Sequence, residues 1–147
     1  MTQLEQQGIT EARGKVIYTA KIHTNGGREN GAAHSSDGRL DVKLSVPGST
    51  HAGTNPEQLF AAGWSACFES AIMHAARKRK ITLSELAIDA EVDLHLADDG
   101  YFLSARFNVS LPGLDHGTAK SLVVEAEQIC PYSKATRGNI DVAFNLV

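Results

Sequence analysis

The chain contains one segment that predicts a long helix around which the rest of the fold is arranged: TNPEQLFAAGWSACFESAIMHAARKRK, residues 54–80. Asn55 is a polar cap in front of Pro56, and Glu57 falls in the first turn, which is the pattern of a helix start. Small residues recur at 61–66 and allow another element to pack very close. We therefore expect this helix to be central and largely buried.

Alternating apolar and polar residues predict strands on both sides of this helix, because successive side chains of a strand point to opposite faces. Asp98-Asp99-Gly100 predicts the tight turn of a hairpin, and Asp115 is a suitable cap for a second helix. This order of elements is typical of an α+β fold with mainly antiparallel sheet. The expected strands are 15–23, 40–46, 86–96, 101–111 and 140–147, with a loop at 24–38 and a second helix at 115–129.

The length and composition of the chain are those of an ordinary globular domain. Its 147 residues are 42% hydrophobic and 21% charged, with a net charge of −3, and one core commonly holds a chain of this size. We expect a single domain, residues 1–147, with residues 1–12 as a loosely held N-terminal arm. The slightly acidic balance gives no electrostatic basis for binding nucleic acid. No apolar run is long enough for a membrane span or a signal peptide, so the expected location is cytoplasmic.

The two cysteines, Cys67 and Cys130, are the residues that most need a chemical explanation. Disulfides in cytoplasmic proteins are usually catalytic or redox-sensing. One thiol falls in the middle of the first helix and the other at the end of the second, before Pro131, as in a reacting pair spread over two elements. The alternative is that both are small buried hydrophobic residues, a common role for free cysteine. None of the six histidines forms an HxxH or HxxxH pair, so no zinc site is expected.

A reactive Cys67 needs a positive partner, because only the thiolate is nucleophilic and burial raises the pKa of a thiol. Arg28, in a glycine-flanked loop, is free to take that place; the alternative is a solvated arginine. Glu57 is able to orient it, although the helix dipole also explains an acid in the first turn. Glu57 and Cys67 are about 15 Å apart along a straight helix. One arginine reaches both if its side chain bridges them, if the helix bends at Gly63, or if two subunits contribute, and the small-residue helix favours an intimate dimer.

Three long motifs resemble the organic hydroperoxide resistance (Ohr) branch of the OsmC/Ohr family: NPEQLFAAGWSACF at 55–68, CPYSKATRGNIDV at 130–142 and SSDGRLDVKLS at 35–45. The resemblance extends over nearly the whole chain. It implies an intertwined α+β homodimer, with mainly antiparallel sheets around a long central helix and active sites at the subunit interface. One departure is the segment 47–53, which is shorter than is usual before the central helix and affects the shape of the lid over the site.

The resemblance also implies an activity and the residues that perform it. The activity is a thiol peroxidase that reduces alkyl and fatty-acid hydroperoxides, with a lipoylated protein or dihydrolipoamide as reductant and with no cofactor or metal. By motif match, Cys67 is the peroxidatic cysteine, Cys130 the resolving cysteine, Glu57 the family acid and Arg28 the family arginine. A second class of function stays open, a non-catalytic redox sensor or acyl-binding module. The expected substrate pocket consists of apolar residues, each of which has a place in the ordinary core as its alternative: Leu59, Phe60, Trp64, Phe68, Ile129 and Tyr132.

Overall fold

The computed structural model describes residues 14–147, so the expected arm at 1–12 lies outside the described residues. Within this part of the chain, strands and helices alternate in an α+β order, as expected. Their order is β1 (Ile22–Asn25), α1 (Gly27–Asn30), β2 (Ala32–Ser35), β3 (Asp41–Lys43), α2 (Pro56–Lys78), β4 (Ala87–Ala97), β5 (Gly100–Ser110), α3 (His116–Ile129), α4 (Pro131–Thr136) and β6 (Asp141–Leu146).

Helix α2 begins where the local sequence predicts. The Asn55 side chain accepts a hydrogen bond from the backbone N–H of Gln58 at 2.9 Å, and proline occupies the first helical position. The side chains of Trp64, Phe68 and Ile72 are fully buried. Because these residues are four apart, they lie on one face of the helix. This buried face confirms that α2 is the central helix of the fold, as its small and apolar residues predict.

The strands form two three-stranded sheets, β1-β2-β3 and β4-β5-β6. Three of the four pairings are antiparallel, which confirms the expectation of mainly antiparallel sheet. The exception is β6, which runs parallel to β5. The segment between β5 and β6 contains both α3 and α4, and a crossover of that kind is what parallel neighbours require.

The core lies between α2, α3 and the second sheet. The ring of Phe107 on β5 contacts Trp64 and Phe68 edge-on, with ring centroids 4.8 and 5.6 Å apart. Each large side chain that is fully buried contributes roughly 1.5–3 kcal/mol to folding. The buried residues of this cluster include Trp64, Phe68, Ala71, Ile72, Ala75, Ala105, Phe107, Val109, Leu122 and Ala126.

The N-terminal strand predictions are partly wrong. The strand expected at 15–23 begins only at Ile22, and Val16, Ile17 and Tyr18 are exposed. Alternation decides which side chains share a face, but a strand also needs a hydrogen-bonded neighbour. Residues 15–20 have no paired strand within the described part of this chain.

Three further corrections concern short elements. The expected loop at 24–38 contains the end of β1, all of α1 and all of β2, and the strand expected at 40–46 shortens to β3. Helix α4 was not predicted, although proline at its first position is a recognised helix-start signal. Elements of three to six residues carry too little periodicity to be identified from sequence. As for the longer helices, none among residues 14–147 is apolar enough over a sufficient length to cross a bilayer.

Candidate active site

The fold brings the two cysteine thiols together. Cys67 is half-buried midway along α2, and Cys130 is fully buried at the end of α3. The Cys130 side chain lies close enough to that of Cys67 to raise the pKa of the Cys67 thiol, and both residues are free thiols. The sequence prediction that these sulfurs lie close is thus met by the geometry, whereas the catalytic role of each thiol stays a prediction.

Cys130 is held at a corner between two helices. Its backbone is extended, with φ −62° and ψ 121°, so it ends α3 and caps α4 at once. A residue before proline is pushed out of the helical conformation, which explains the corner. The Cys130 N–H donates to the Ala126 carbonyl at 2.8 Å, and the Cys130 carbonyl accepts from the Lys134 N–H at 3.0 Å. The thiol therefore has a defined place next to α2.

Two contacts between α4 and α2 keep this corner in position. The indole N–H of buried Trp64 donates to the hydroxyl of buried Ser133 at 3.2 Å. The hydroxyl of Tyr132 lies so close to Gly63 that a Cβ there would be 2.9 Å from it. Gly63 precedes Cys67 by one helical turn, so the Tyr132 ring covers α2 beside the thiol. The roles of Ser133 and Gly63 were not predicted, because the first residue lies in α4 and the second contacts it, and this helix is too short to be identified from local sequence.

The environment of Cys67 in a single protomer disfavours its thiolate. Burial raises the pKa of the Cys67 thiol, and the adjacent Cys130 raises it further, because two neighbouring thiolates repel each other. The backbone of Tyr132 acts in the opposite direction and lowers the pKa of this thiol. The net direction is upward, so a nucleophilic Cys67 needs an additional positive group.

Arg28 and Glu57 form an ion pair in which the guanidinium Nη2 donates to the carboxylate Oε1. This hydrogen bond lowers the pKa of the Glu57 carboxyl below its ordinary value of 4.5 and raises that of Arg28. Glu57 is therefore ionised at neutral pH. The stabilisation that the pair contributes is complete above pH 4.5 and is lost as the pH falls through the lowered pKa of the folded state.

The ion pair and the thiol pair are separate within one protomer. Arg28 is not among the groups that shift the Cys67 pKa, so the expected contact between this arginine and the thiolate is not made inside a single chain. The ion pair instead borders an open cavity of about 420 Å³. The apolar part of the cavity wall comes from α2, β4 and the segment before α2, and its residues are Pro47, Ala61, Ala90, Val92 and Leu94.

The residues expected to form the substrate pocket divide into two groups. Trp64 and Phe68 are fully buried and contact Phe107 and Phe144, which favours the core alternative for these two. The other four remain partly accessible, and Phe60 and Tyr132 pack edge-on with ring centroids 6.2 Å apart. Leu59, Phe60 and Ile129 are half-buried, and Tyr132 is exposed.

Comparison with known proteins identifies the family. The model of the OsmC-like protein family matches residues 47–145. The organic hydroperoxide resistance protein of Xanthomonas axonopodis pv. citri (strain 306) is 47% identical over 137 residues, which cover 90% of this chain and 96% of that protein. The organic hydroperoxide resistance protein OhrB of Bacillus subtilis (strain 168) is 42% identical over 135 residues, covering 88% of this chain and 98% of that protein.

Solved structures show the same similarity. The crystal structure of an organic hydroperoxide resistance protein from Legionella pneumophila has a TM-score of 0.85 and 42% identity, and the match covers 90% of this chain and 98% of that one. For the crystal structure of Bacillus subtilis OhrB, the TM-score is 0.84 and the identity 40%, with 90% and 100% coverage. The chain therefore belongs to the OsmC/Ohr family, in its organic hydroperoxide resistance branch.

Proposed function

We propose that this protein is a cysteine-based thiol peroxidase that reduces alkyl and fatty-acid hydroperoxides to alcohols. Relatives that are 47% and 42% identical are named organic hydroperoxide resistance proteins, which supports a role in hydroperoxide detoxification. The main structural support is the adjacent pair of free thiols, one on α2 and the other at the end of α3. Two such thiols are what a peroxidatic and a resolving cysteine require.

The reaction proceeds in three steps. The Cys67 thiolate attacks one oxygen of the hydroperoxide, the O–O bond breaks, the alkoxide takes a proton and leaves as the alcohol, and Cys67 becomes a sulfenic acid. The Cys130 thiol then attacks the sulfenic sulfur, a disulfide forms, and the hydroxyl leaves as water. Exchange with an external dithiol reduces this disulfide and oxidises the dithiol to its own disulfide. We assign the reductant to the lipoyl type, a lipoylated protein or dihydrolipoamide.

Arg28 supplies the positive charge that the first step needs, and Glu57 orients it. The guanidinium favours the thiolate and donates hydrogen bonds to the oxygen on which negative charge develops. The ion pair with Glu57 sets the orientation of that guanidinium. Because Glu57 and Cys67 are about 15 Å apart along one helix, we assign Arg28 and Glu57 to the thiol pair of a second subunit.

A homodimer is supported by apolar surface that one protomer leaves uncovered. Leu96 and Tyr101, which are paired across the tip of the β4–β5 hairpin, are 72% and 73% exposed. Two large apolar side chains that lie side by side in solvent suit a subunit interface better than a free surface. In a two-fold dimer the same patch of each subunit meets the other, so each interface residue is used twice. Two complete sites then form, each with a thiol pair from one chain and an ion pair from the other.

The partly accessible apolar residues beside Cys67 suit an alkyl chain. Phe60 and Tyr132 lie on the same side of α2 as Gly63 and the thiol. An apolar substrate tail gains about 0.8 kcal/mol for each methylene buried there. This environment favours an organic hydroperoxide over hydrogen peroxide, which has no carbon to bury.

The proposal is tested by turnover of cumene hydroperoxide with dihydrolipoamide as reductant. Cys67→Ser is expected to abolish consumption of the peroxide, because no thiolate remains to attack. Cys130→Ser is expected to leave a sulfenic acid on Cys67 that dimedone traps. Ser70→Ala, a change at an exposed position on the same helix, is the control.

Two results would contradict this function. One is turnover at the parent rate in Cys67→Ser. The other is a single oxidation of the parent protein that dihydrolipoamide does not convert into cycling, which would identify a redox sensor instead. A long-chain lipid hydroperoxide compared with hydrogen peroxide in the same assay tests the substrate class.

A further inference from the structure

Two histidines form a pair on the first sheet, away from the thiols. His23 on β1 and His34 on β2 are direct cross-strand partners, and both are exposed. Their ring centroids are 5.2 Å apart, and their ring planes are inclined at 44°. Asp41 on β3 is the register partner of His34. Because directly opposed residues of a sheet point to the same side, three strands place two imidazoles and a carboxylate in one row.

The row lies on the open face of the sheet. The residues of the neighbouring row, Thr24, Ala33 and Val42, point to the opposite face. Ala33 is only 6% exposed, which identifies that opposite face as the covered one. The imidazoles are thus free to rotate in solvent, and they line a surface concavity together with Lys21, Ile22 and Ser36.

The spacing of the two rings suits a shared metal ion. Neutral imidazole is the commonest metal ligand of proteins and prefers zinc, copper and nickel. With metal–nitrogen distances of about 2.0–2.1 Å, two imidazoles on one tetrahedral ion have ring centres roughly 5 Å apart. The 5.2 Å separation of His23 and His34 agrees with that value. Both side chains are exposed, so their rings are able to rotate until one nitrogen of each points toward a common ion.

We propose that His23 and His34 form a two-histidine chelate for a divalent transition-metal ion. Among residues 14–147 no group of three or more His, Cys, Asp or Glu side chains is arranged to hold a metal, so the two imidazoles are the direct ligands and water completes the coordination. Asp41, in the same row, accepts hydrogen bonds from such waters and supplies negative charge. Lys21 and Lys43 lie on the same face. Their positive charges repel a metal ion, so the affinity for the ion is lower than at a site built with carboxylate ligands.

Calorimetric titration with Ni²⁺ at pH 7.5 tests the chelate. The parent protein is expected to bind one ion per chain, and His23→Ala and His34→Ala each lower the affinity at least about tenfold. His74→Ala and His116→Ala, which remove exposed histidines elsewhere, leave it unchanged. Ni²⁺ also raises the Tm of the parent and not of the two pair variants, since a ligand stabilises only the state that binds it.

Separate readouts distinguish this site from the thiol chemistry. Peroxide turnover and alkylation of Cys67 are expected to be the same in His23→Ala as in the parent, which also shows that the variant folds. Ni²⁺ affinity is expected to persist in Cys67→Ser. An affinity that is unaffected by replacing either histidine of the pair, or that disappears with Cys67, would overturn the chelate.

Discussion

At the scale of single residues, the pKa of Cys67 controls the chemistry. Within one chain, burial and the neighbouring Cys130 raise this pKa, and the backbone of Tyr132 opposes them. A raised pKa means that the thiolate forms only at higher pH, so any group that lowers the pKa extends reactivity toward neutral pH. The proposed dimer provides such a group in the guanidinium of Arg28, contributed by the second subunit.

The pH dependence of Cys67 alkylation measures these effects separately. Cys130→Ser removes the neighbouring thiol and leaves a hydroxyl in its place. The pH midpoint of Cys67 alkylation is therefore expected to move to lower pH. Arg28→Ala is expected to move it to higher pH, and the thiolate fraction at neutral pH falls about tenfold when the Cys67 pKa rises by 1. Iodoacetamide labelling, quantified on the Cys67 peptide by mass spectrometry, gives the midpoints.

Arg39→Ala is the matched control for this experiment. Arg39 is an exposed arginine whose ion-pair distance to Asp37 is 3.9 Å, and its removal is expected to leave the Cys67 midpoint unchanged. If Arg28→Ala behaved like Arg39→Ala, Arg28 would have no part in activating the thiol.

At the scale of elements, short helix α4 determines where Cys130 lies. Its link to the core is the hydrogen bond from the Trp64 indole to the Ser133 hydroxyl, and both residues are buried. Ser133→Ala removes the acceptor and leaves a buried N–H unpaired, which costs about 1–3 kcal/mol. We expect a loss of that size in the free energy of unfolding, measured by urea denaturation, together with slower closure of the Cys67–Cys130 disulfide.

Ser84→Ala provides the comparison for Ser133→Ala. The Ser84 hydroxyl also makes one hydrogen bond, to the Pro112 carbonyl, but it is exposed to solvent. Its loss is expected to change the free energy of unfolding by less than about 0.5 kcal/mol. A Ser133→Ala variant as stable as Ser84→Ala would show that the indole hydrogen bond does not hold α4 in place.

Some helices and strands were predicted from the sequence more accurately than others. Helix α2, helix α3 and the β4–β5 hairpin were predicted nearly to their ends, because caps, turn residues and periodicity are local signals. The N-terminal strands were misplaced, since the pattern at 15–23 does not say which strand, if any, is its neighbour. Helix α4 is stabilised mainly by packing against α2 and α3, which no local pattern reveals.

At the scale of the whole molecule, the proposed dimer makes a prediction about mixed subunits. Cys67→Ser and Arg28→Ala are each expected to be nearly inactive alone. In a mixed dimer, one site receives both defects and the other receives an intact Cys67 and an intact Arg28. Random pairing therefore restores about a quarter of the parent sites.

The measurement is hydroperoxide turnover after the two variants are co-expressed or unfolded and refolded together. Mixing Cys67→Ser with Cys130→Ser is the control, because both thiols belong to one chain and no intact site forms. Activity no greater than the sum of the separate variants, from a mixture shown to contain mixed dimers, would place Arg28 and Cys67 of each site in the same chain.

Local sequence signals were enough to predict the α+β class, the two long helices and the hairpin, because each of these depends on residues within a few positions of one another. The tertiary structure decided that β6 runs parallel to β5, that Cys130 meets Cys67, and that Arg28 pairs with Glu57 at a distance from the thiols. These contacts join residues far apart in the chain, 29 positions for the ion pair. Long-range contacts form only when whole elements pack, and packing depends on all of the apolar surfaces together.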